Sequence, residues 1–344
     1  MSRITPLLLL MPLMVQAGNY SAQRTTIDGI EVIQLKDSAH KIEVSIAPSL
    51  GNNAYAIKAN GKHVLWSPYQ NLKEFMDKPV QLGNPLLAPW ANRIDGDAFW
   101  ANGKMYLLNP ELKNFRYDSN KKPIHGLIVF AKEWKVTHVQ ADGRSASVTS
   151  RLEFWRRPDW MAQFPFAHNL EMTYRLMDGA LEVETAVENL SSDPMPLSLG
   201  YHTYYRIDDS ARDDCSIHVP ARSQVLVSDA LIPTGEMRPA TLSDPQPLRG
   251  YSLDTGFTDL ARDSAGRAEF WVQGRQQKIR IVFGAKYNVA VVYSPSGRDF
   301  ICFEPMVGTT NVFNLAHAGL YKELQSIPPG GSWKESFWII PEGY

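Results

Sequence analysis

A two-residue alternation of apolar and polar side chains constrains the fold more than any other feature of the sequence. Residues 181–188 read LEVETAVE, which places three glutamates on one face and the apolar residues and a threonine on the other. Residues 42–46 repeat the pattern, and 279–283 and 288–293 are apolar segments that we interpret as a strand pair joined by a turn around Gly284. Such alternation is typical of half-buried β-strands.

Turn signals separate these segments along the whole chain. Short dipeptides that favour tight turns recur between the apolar runs, at Asp28-Gly29, Asn60-Gly61, Asn102-Gly103, Asp142-Gly143 and Asp178-Gly179. Many short strands separated by such turns predict an all-β sandwich. We find no linker or internal repeat, so residues 18–344 are expected to form one domain. Any helix is expected to be a short turn, such as one near residues 311–320.

The N-terminus has the pattern of a signal peptide. Arg3 precedes an apolar run over residues 4–15, which is shorter than the roughly 20 residues that span a bilayer. Val15-Gln16-Ala17 then places small or aliphatic residues at the positions of a cleavage site, and polar chain follows. We therefore expect residues 1–17 to be a signal peptide and the protein to be exported, either periplasmic or secreted.

Charge and cysteine content exclude several classes of partner. The chain has 35 basic and 36 acidic side chains, a net charge of −1, and no block of like charges. It therefore has no basic patch of the kind that binds nucleic acid, or that would bind a membrane surface after cleavage of the signal peptide. Cys215 and Cys302 are the two cysteines; an exported protein could join them, but the apolar run around Cys302 favours unpaired thiols. No cysteine and histidine spacing resembles a zinc site, so no metal is expected.

Four segments carry polar residues in apolar or glycine-rich surroundings. Arg93 and His125 lie in two of them, where either residue could be structural or could bind a ligand. His202 lies among three tyrosines, and histidine is the natural proton donor near neutral pH. Glu304 follows the apolar run 300–303, where a carboxylate is costly unless it is paired or used. Partial burial would raise the pKa of Glu304, which suits a general base.

The order and wording of these segments resemble the aldose 1-epimerase family. That family is recognised by an Asn-Arg-Ile loop, a His-Gly segment ending in Trp, a His-Thr-Tyr-Phe-like segment, a late Glu-Pro strand and a Pro-Gly turn before the last strand. Here the segments read APWANRI (88–94), PIHGLIVFAKEW (123–134), LGYHTYYRI (199–207), ICFEPMVGTTNVFN (301–314) and IPPGGSWKESFWII (327–340). The resemblance extends over residues 30–340.

The resemblance implies a large β-sandwich of the galactose-mutarotase type, also called a supersandwich. It implies interconversion of the α and β anomers of a free aldose such as glucose or galactose, with no metal and no organic cofactor. Glu304 would be the general base at the C1 hydroxyl, and His202 the general acid at the ring oxygen. Asn92, Arg93 and His125 would hold the sugar. A titratable Glu and His could together perform this exchange, one on each side of the hemiacetal.

The family's Leu-Asp-x-x-Phe segment resembles residues 253–257, which implies that Asp254 binds ring hydroxyls; Asp259 is the alternative match. The chain departs from the best-known galactose mutarotases at Tyr201, where they carry Asn, and it lacks their Gly-Lys-Gly stretch after His125. These departures leave the preferred sugar open, and the sequence does not indicate an oligomeric state.

Two other functions remain open from the sequence. The first is a sugar-binding sandwich without turnover, although a binding module needs no acid–base pair. The second is a polysaccharide-processing enzyme on a similar sandwich, although glycoside hydrolysis usually needs two carboxylates and only Glu304 stands out. In each case the expected partner is a carbohydrate.

Overall fold

The computed structural model describes residues 14–344. Three antiparallel sheets of six, nine and eight strands carry most of this part of the chain, and three two-stranded ribbons accompany them. The prediction of an all-β sandwich is therefore confirmed. The strands are short, as the closely spaced turn signals indicate.

The first fifteen strands, numbered in chain order, cover the sequence up to Asn189. They are β1 (Met14–Ala17), β2 (Tyr20–Ile27), β3 (Ile30–Asp37), β4 (Ile42–Ala47), β5 (Asn53–Ala59), β6 (Lys62–His63), β7 (Leu86–Leu87), β8 (Ala98–Ala101), β9 (Lys104–Leu107), β10 (Arg116–Tyr117), β11 (Pro123–Ile124), β12 (Lys135–Ala141), β13 (Ala146–Glu153), β14 (His168–Met177) and β15 (Ala180–Asn189).

The remaining strands continue to the C-terminal segment. They are β16 (Met195–Pro196), β17 (Gly200–Tyr201), β18 (Tyr204–Tyr205), β19 (Ser216–His218), β20 (Ala221–Val227), β21 (Pro233–Pro239), β22 (Gln246–Pro247), β23 (Leu253–Leu260), β24 (Ala268–Gln273), β25 (Lys278–Phe283), β26 (Val289–Ser294), β27 (Ile301–Met306), β28 (Ser326–Ile327) and β29 (Ser332–Glu342).

Helices are few and short. The expected helix near residues 311–320 is α3 (Val312–His317), and α1 (Leu72–Asp77) and α2 (Pro158–Gln163) are two that the sequence patterns did not reveal. The Asn71 side chain caps α1 by accepting a hydrogen bond from the Glu74 backbone N–H at 2.9 Å. Single 3₁₀ turns lie at Pro48–Leu50, Pro110–Leu112, Phe154–Arg156 and Arg212–Asp214. No helix between residues 14 and 344 is long and apolar enough to cross a membrane.

The nine-stranded sheet is the common layer of the structure. Its strand order is β12-β13-β14-β15-β29-β25-β24-β19-β22. The first strands of this sheet pack against β2 and β3 of the six-stranded sheet, which has the order β1 to β6. Its other half packs against the eight-stranded sheet, with the order β21-β20-β23-β26-β27-β17-β7 and β18 paired to β27. Phe270 on β24 meets Phe303 on β27 at a ring-centroid distance of 5.8 Å.

The alternation over residues 181–188 has the predicted cause. In β15 the side chains of Leu181, Val183, Thr185 and Val187 are buried, while the glutamates between them face outwards. The strand lies between β14 and β29 in the nine-stranded sheet, so its apolar face packs into the core of the sandwich.

The expected pairing of residues 279–283 with 288–293 is wrong. Both segments are strands, β25 and β26, but β25 pairs with β24 and β29 of the nine-stranded sheet. Strand β26 pairs with β23 and β27 of the eight-stranded sheet. The chain therefore crosses from one layer to the other after Gly284, and an apolar pattern alone cannot distinguish a hairpin from such a crossing.

The two cysteines are free and buried, in agreement with the preference for unpaired thiols. Residues 1–13 of the expected signal peptide lie outside the described residues. Its last four residues form β1, which pairs with β2 at the edge of the six-stranded sheet.

One close backbone contact fixes the loop that follows β11. Gly126 has a φ of 67° and forms a parallel bridge with Ala88, and the Leu127 N–H donates to the Ala88 carbonyl at 2.8 Å. A Cβ at residue 126 would lie 2.1 Å from that carbonyl oxygen. Only glycine fits both the contact and the backbone conformation without strain.

We predict that Gly126→Ala lowers the free energy of unfolding by at least about 2 kcal/mol, because the new methyl group meets rigid backbone and the left-handed φ is unfavourable. Urea denaturation measures the change. Gly143→Ala is the matched control, since no atom lies within 4 Å of its added Cβ, and a change within about 0.5 kcal/mol is expected there. Equal effects of the two substitutions would contradict the role assigned to the contact.

Candidate active site

Glu304 lies on the face of β27 that points away from the sandwich core. Phe303, its neighbour on the strand, packs against Phe270 of the nine-stranded sheet, so alternation turns Glu304 to the opposite face. The residue is opposite Val291 on β26 and is only 1% exposed, because loops cover this outer face. The carboxylate is therefore buried without belonging to the core.

His202 is the direct partner of this carboxylate. It lies between β17 and β18, where its backbone N–H donates to the Pro85 carbonyl at 3.2 Å. Its Nε2 atom is 3.3 Å from Oε1 of Glu304, and the ring stacks on Tyr204 at 4.7 Å and 14°. The stacking fixes the plane of the imidazole and directs Nε2 towards Glu304.

Burial moves the two pKa values in opposite directions. It lowers the pKa of His202 to about 3, and the nearby charges of Arg116 and Arg93 act in the same sense. It raises the pKa of Glu304 well above 4.5, with a further contribution from Asp254 that Arg93 opposes. The proton of the pair therefore favours Glu304 over His202, and the pKa of His202 lies far below the ordinary histidine value that the sequence analysis assumed.

The three tyrosines around His202 divide into two groups. Tyr204 faces the site with His202. Tyr201 is fully buried in the core, where its hydroxyl shares a hydrogen bond with Thr185 and its ring lies 4.8 Å from Phe337. Tyr205 is also fully buried. The departure at Tyr201 thus concerns the packing between sheets and not the surface that a ligand would meet.

Arg93 is held by an ion pair and still faces the site. Its Nε donates to Asp118 Oδ2 at 2.5 Å, and its Nη1 donates to the Asn92 side chain at 3.0 Å. Burial alone would raise the pKa of Asp118, but Arg93 and the backbone N–H of Lys122 outweigh it and hold that pKa below its usual value. Arg93 therefore has a structural ion pair, and the same side chain also lines the cavity, where it can contact a ligand.

His125 is buried in an unusual backbone conformation. Its φ is 64°, and its N–H donates to the carbonyl of Asn92, which is itself left-handed at a φ of 57°. The imidazole meets that of His202 edge to face at 5.5 Å, and its Nδ1 has no hydrogen-bond partner in the protein. Burial, together with His202 and the two arginines, lowers its pKa well below 6.5. A neutral imidazole with a free nitrogen is suited to bind a hydroxyl group.

The structure separates the two candidate aspartates. Asp254, on β23, lines the same cavity as Glu304, and its side chain is open to the solvent in that cavity. Partial burial among protein atoms raises the pKa of its carboxyl group. Asp259 lies on the surface and pairs with Arg222 at 3.1 Å. Asp254 is thus the aspartate that can contact a ligand bound beside Glu304.

These side chains surround a cavity of about 220 Å³, large enough for one small sugar. It brings together all six residues selected from the sequence and adds others that the sequence did not reveal. The lining consists of Gln81, Asn92, Arg93, Ile124, His125, His202, Tyr204, Asp254, Val291, Tyr293 and Glu304.

Sequence reasoning missed Tyr293 and Gln81 in this lining, and Asp118 behind it. Tyr293 lies near the end of the apolar strand β26, and its ring lies 5.8 Å from that of His202. An arginine in an apolar segment signals a buried acidic partner, but the sequence does not say that this partner is Asp118. Cys302 is a fourth omission, since it can join His202 and Glu304 in holding a metal.

The arrangement is suited to proton exchange with a polyhydroxyl ligand. The His202–Glu304 pair can accept and donate a proton at adjacent atoms. Arg93, His125 and Asp254 offer hydrogen-bond donors and acceptors around it. Tyr204 and Tyr293 supply flat apolar surfaces of the kind that pack against a sugar ring.

The aldose 1-epimerase family matches residues 31–339 of the chain. Among solved structures, a galactose mutarotase-like protein from Clostridium acetobutylicum superposes with a TM-score of 0.84 at 22% identity, covering 95% of this chain and 99% of the other. A protein from Synechocystis sp. PCC 6803 gives 0.73 at 25% identity over 93% and 98%. Galactose 1-epimerase from Lactobacillus acidophilus NCFM gives 0.70 at 16% identity over 97% and 100%. The fold is therefore that of the galactose mutarotases, and with the family match over almost the whole described chain, this protein belongs to the aldose 1-epimerase family.

Proposed function

We propose that the protein is a mutarotase that interconverts the α and β anomers of a free aldose, with glucose and galactose as the first sugars to test. The observation that carries the proposal is the buried pair of His202 Nε2 and Glu304 Oε1, 3.3 Å apart at one cavity with Arg93, His125 and Asp254. Family membership supports the same reaction class.

The spacing of the pair suits the two oxygens of a hemiacetal. The C1 hydroxyl and the ring oxygen are bonded to the same carbon, so two groups side by side can hydrogen-bond to both at once. Sequence reasoning placed the acid and the base on opposite sides of the sugar. The adjacent positions in the structure favour approach from one side instead.

The reaction then conserves the proton held by the pair. Once the proton has passed from Glu304 to His202 across their 3.3 Å contact, Glu304 removes the hydrogen of the C1 hydroxyl while His202 protonates the ring oxygen. The C1–O bond of the ring breaks and C1 becomes a carbonyl. After rotation about C1–C2 the ring oxygen attacks the other face, and both protons return. Each half-reaction transfers the proton of the pair between His202 and Glu304, so no net uptake from water is needed.

Arg93, Asn92, His125 and Asp254 are proposed to hold the sugar. The Arg93 guanidinium, fixed by Asp118, is a rigid donor for oxygens near C1. Asp254 can accept from ring hydroxyls. Because binding and proton transfer rest on different side chains, they can be separated by mutation.

We predict that Glu304→Gln and His202→Asn each lower mutarotation by at least about 10²-fold, since each removes one proton-transfer group and keeps a hydrogen-bonding side chain. The double variant is expected to be little slower than the slower single, because the two residues act as a unit. Polarimetry or saturation-transfer NMR with a panel of free aldoses measures the rates.

Exposed Glu31→Gln and His138→Asn are the matched controls and should keep the wild-type rate. Sugar binding should persist in both active-site variants. Near-wild-type turnover by Glu304→Gln, with any aldose that the protein converts, refutes the assignment. Binding of sugar with no anomer exchange by the wild type would favour the non-catalytic module, and new reducing ends from a polysaccharide would favour the hydrolytic alternative, for which Asp254 would be the second carboxylate.

We also predict a pH profile in which His202 produces no inflection near 6.5, the usual pKa of histidine. The pair gains a second proton only near the lowered pKa of His202, about 3, and loses its last proton only above the raised pKa of Glu304. The rate should therefore fall in acid well below 6.5 and fall again at higher pH than a normal carboxylate would allow. Catalysed rates, corrected for spontaneous mutarotation, test this. A limb centred near 6.5 that disappears in His202→Asn would contradict it.

We further propose that the protein is exported and that cleavage follows Ala17. The support is the sequence pattern of Arg3 and the apolar run over residues 4–15. Cleavage there would remove β1, a four-residue edge strand. N-terminal sequencing of protein recovered from the exported fraction should begin at Gly18, and an intact Met1 or Ser2 would disprove the proposal.

A further inference from the structure

Cys302 lies on the same face of β27 as Glu304. The two residues are separated by one position, so alternation directs both side chains to the outer face of the sheet. Cys302 is fully buried in a cluster with Tyr204 and Phe300. Neither the fold nor the proposed reaction requires a thiol beside the acid–base pair.

The thiol, the imidazole and the carboxylate have the spacing of a metal site. One ligand atom from each of His202, Cys302 and Glu304 lies within 4.8 Å of the other two. The measured distance from His202 Nε2 to Glu304 Oε1 is 3.3 Å. Tetrahedral zinc with bonds of about 2.0–2.2 Å to nitrogen and oxygen places such atoms about 3.4 Å apart. A movement of the Cys302 side chain by about 1 Å completes three ligands around one ion.

One buried carboxylate oxygen at the floor of the cavity is free to bind a cation. Glu304 Oε2 is buried and has no hydrogen-bond partner in the protein. Asp254 adds a second carboxylate to the lining of the same cavity. A divalent ion would satisfy the free carboxylate oxygen and relieve the repulsion between the two acidic groups.

We propose that His202, Cys302 and Glu304 form a Zn²⁺ site and that zinc and sugar compete for it. Zinc accepts this mixture of nitrogen, sulfur and oxygen ligands, and three protein ligands leave a fourth position open towards the cavity for water. Coordinate bonds form to Nε2, Sγ and a carboxylate oxygen, while the thiol and the His202–Glu304 pair each release a proton to solvent. Zinc would then block turnover, an effect that rests on the proposed mutarotase function, whereas the binding itself does not.

The first test uses Co²⁺ as a spectroscopic substitute for zinc in the full-length wild-type protein. A thiolate-to-cobalt charge-transfer band in the near ultraviolet, removed by added Zn²⁺, is the expected result. Cys302→Ala should lack the band. Cys215→Ala, which removes the other buried thiol far along the chain, should keep it. No band in the wild type, or its loss only in Cys215→Ala, overturns the proposal even if a variant folds poorly.

The second test measures Zn²⁺ inhibition of anomer exchange, with each variant compared to its own zinc-free rate. Cys302→Ala and Cys302→Ser should need at least about ten-fold more zinc for half inhibition, because loss of even an outer partner of a metal ligand costs that much. Cys215→Ala should match the wild type, and a chelator should restore activity. Equal inhibition of all forms refutes the site. If no aldose is converted, the proposed function fails while the cobalt spectrum still decides the metal site.

Discussion

The burial of Glu304 beside His202 is the interaction on which the rest of the site depends. A single carboxylate on the outer face of an apolar strand would be costly unless another group compensates it. The partner is a histidine 3.3 Å away, and burial makes the shared proton the natural state of the pair. The surrounding loops thus bury the pair and leave a cavity through which a small ligand can reach it.

The sandwich supplies the rigidity that this arrangement needs. Strand β27 is held between β26 and β17 in the eight-stranded sheet, and Phe303 anchors its inner face against the nine-stranded sheet. The position of Glu304 therefore follows from the core packing of its neighbour. In the loops, Asn92 and His125 both have left-handed backbone conformations, and one backbone hydrogen bond, from the His125 N–H to the Asn92 carbonyl, joins the two residues. Strained backbone at a binding site is stable only when its surroundings fix it in this way.

The sequence predicted the fold class and six of the eleven residues that line the cavity, but it did not predict how the strands pair or which neighbours each side chain contacts. Alternation over 181–188 identified a half-buried strand because it reports local burial, which is a property of one strand. Strand pairing depends on two strands at once. The segments that form β25 and β26 were wrongly predicted to pair with each other, because a crossing between two sheets has the same apolar pattern as a hairpin. The sequence could not show that Tyr201 lies in the core and Tyr204 at the cavity, because this depends on which elements pack around each tyrosine. The pKa of His202 likewise depends on burial that only the tertiary structure determines.

The cavity is assembled from parts of the chain that are far apart in sequence. Its lining extends from Gln81 to Glu304, and the acid–base pair alone joins residues 202 and 304. Contacts at such separation form late, after the loop-closure entropy of the intervening chain has been overcome. During refolding, the cavity should therefore form after the β-structure. A ligand-binding signal would then report the last step of folding, whereas spectroscopic signals of the strands would report the earlier steps.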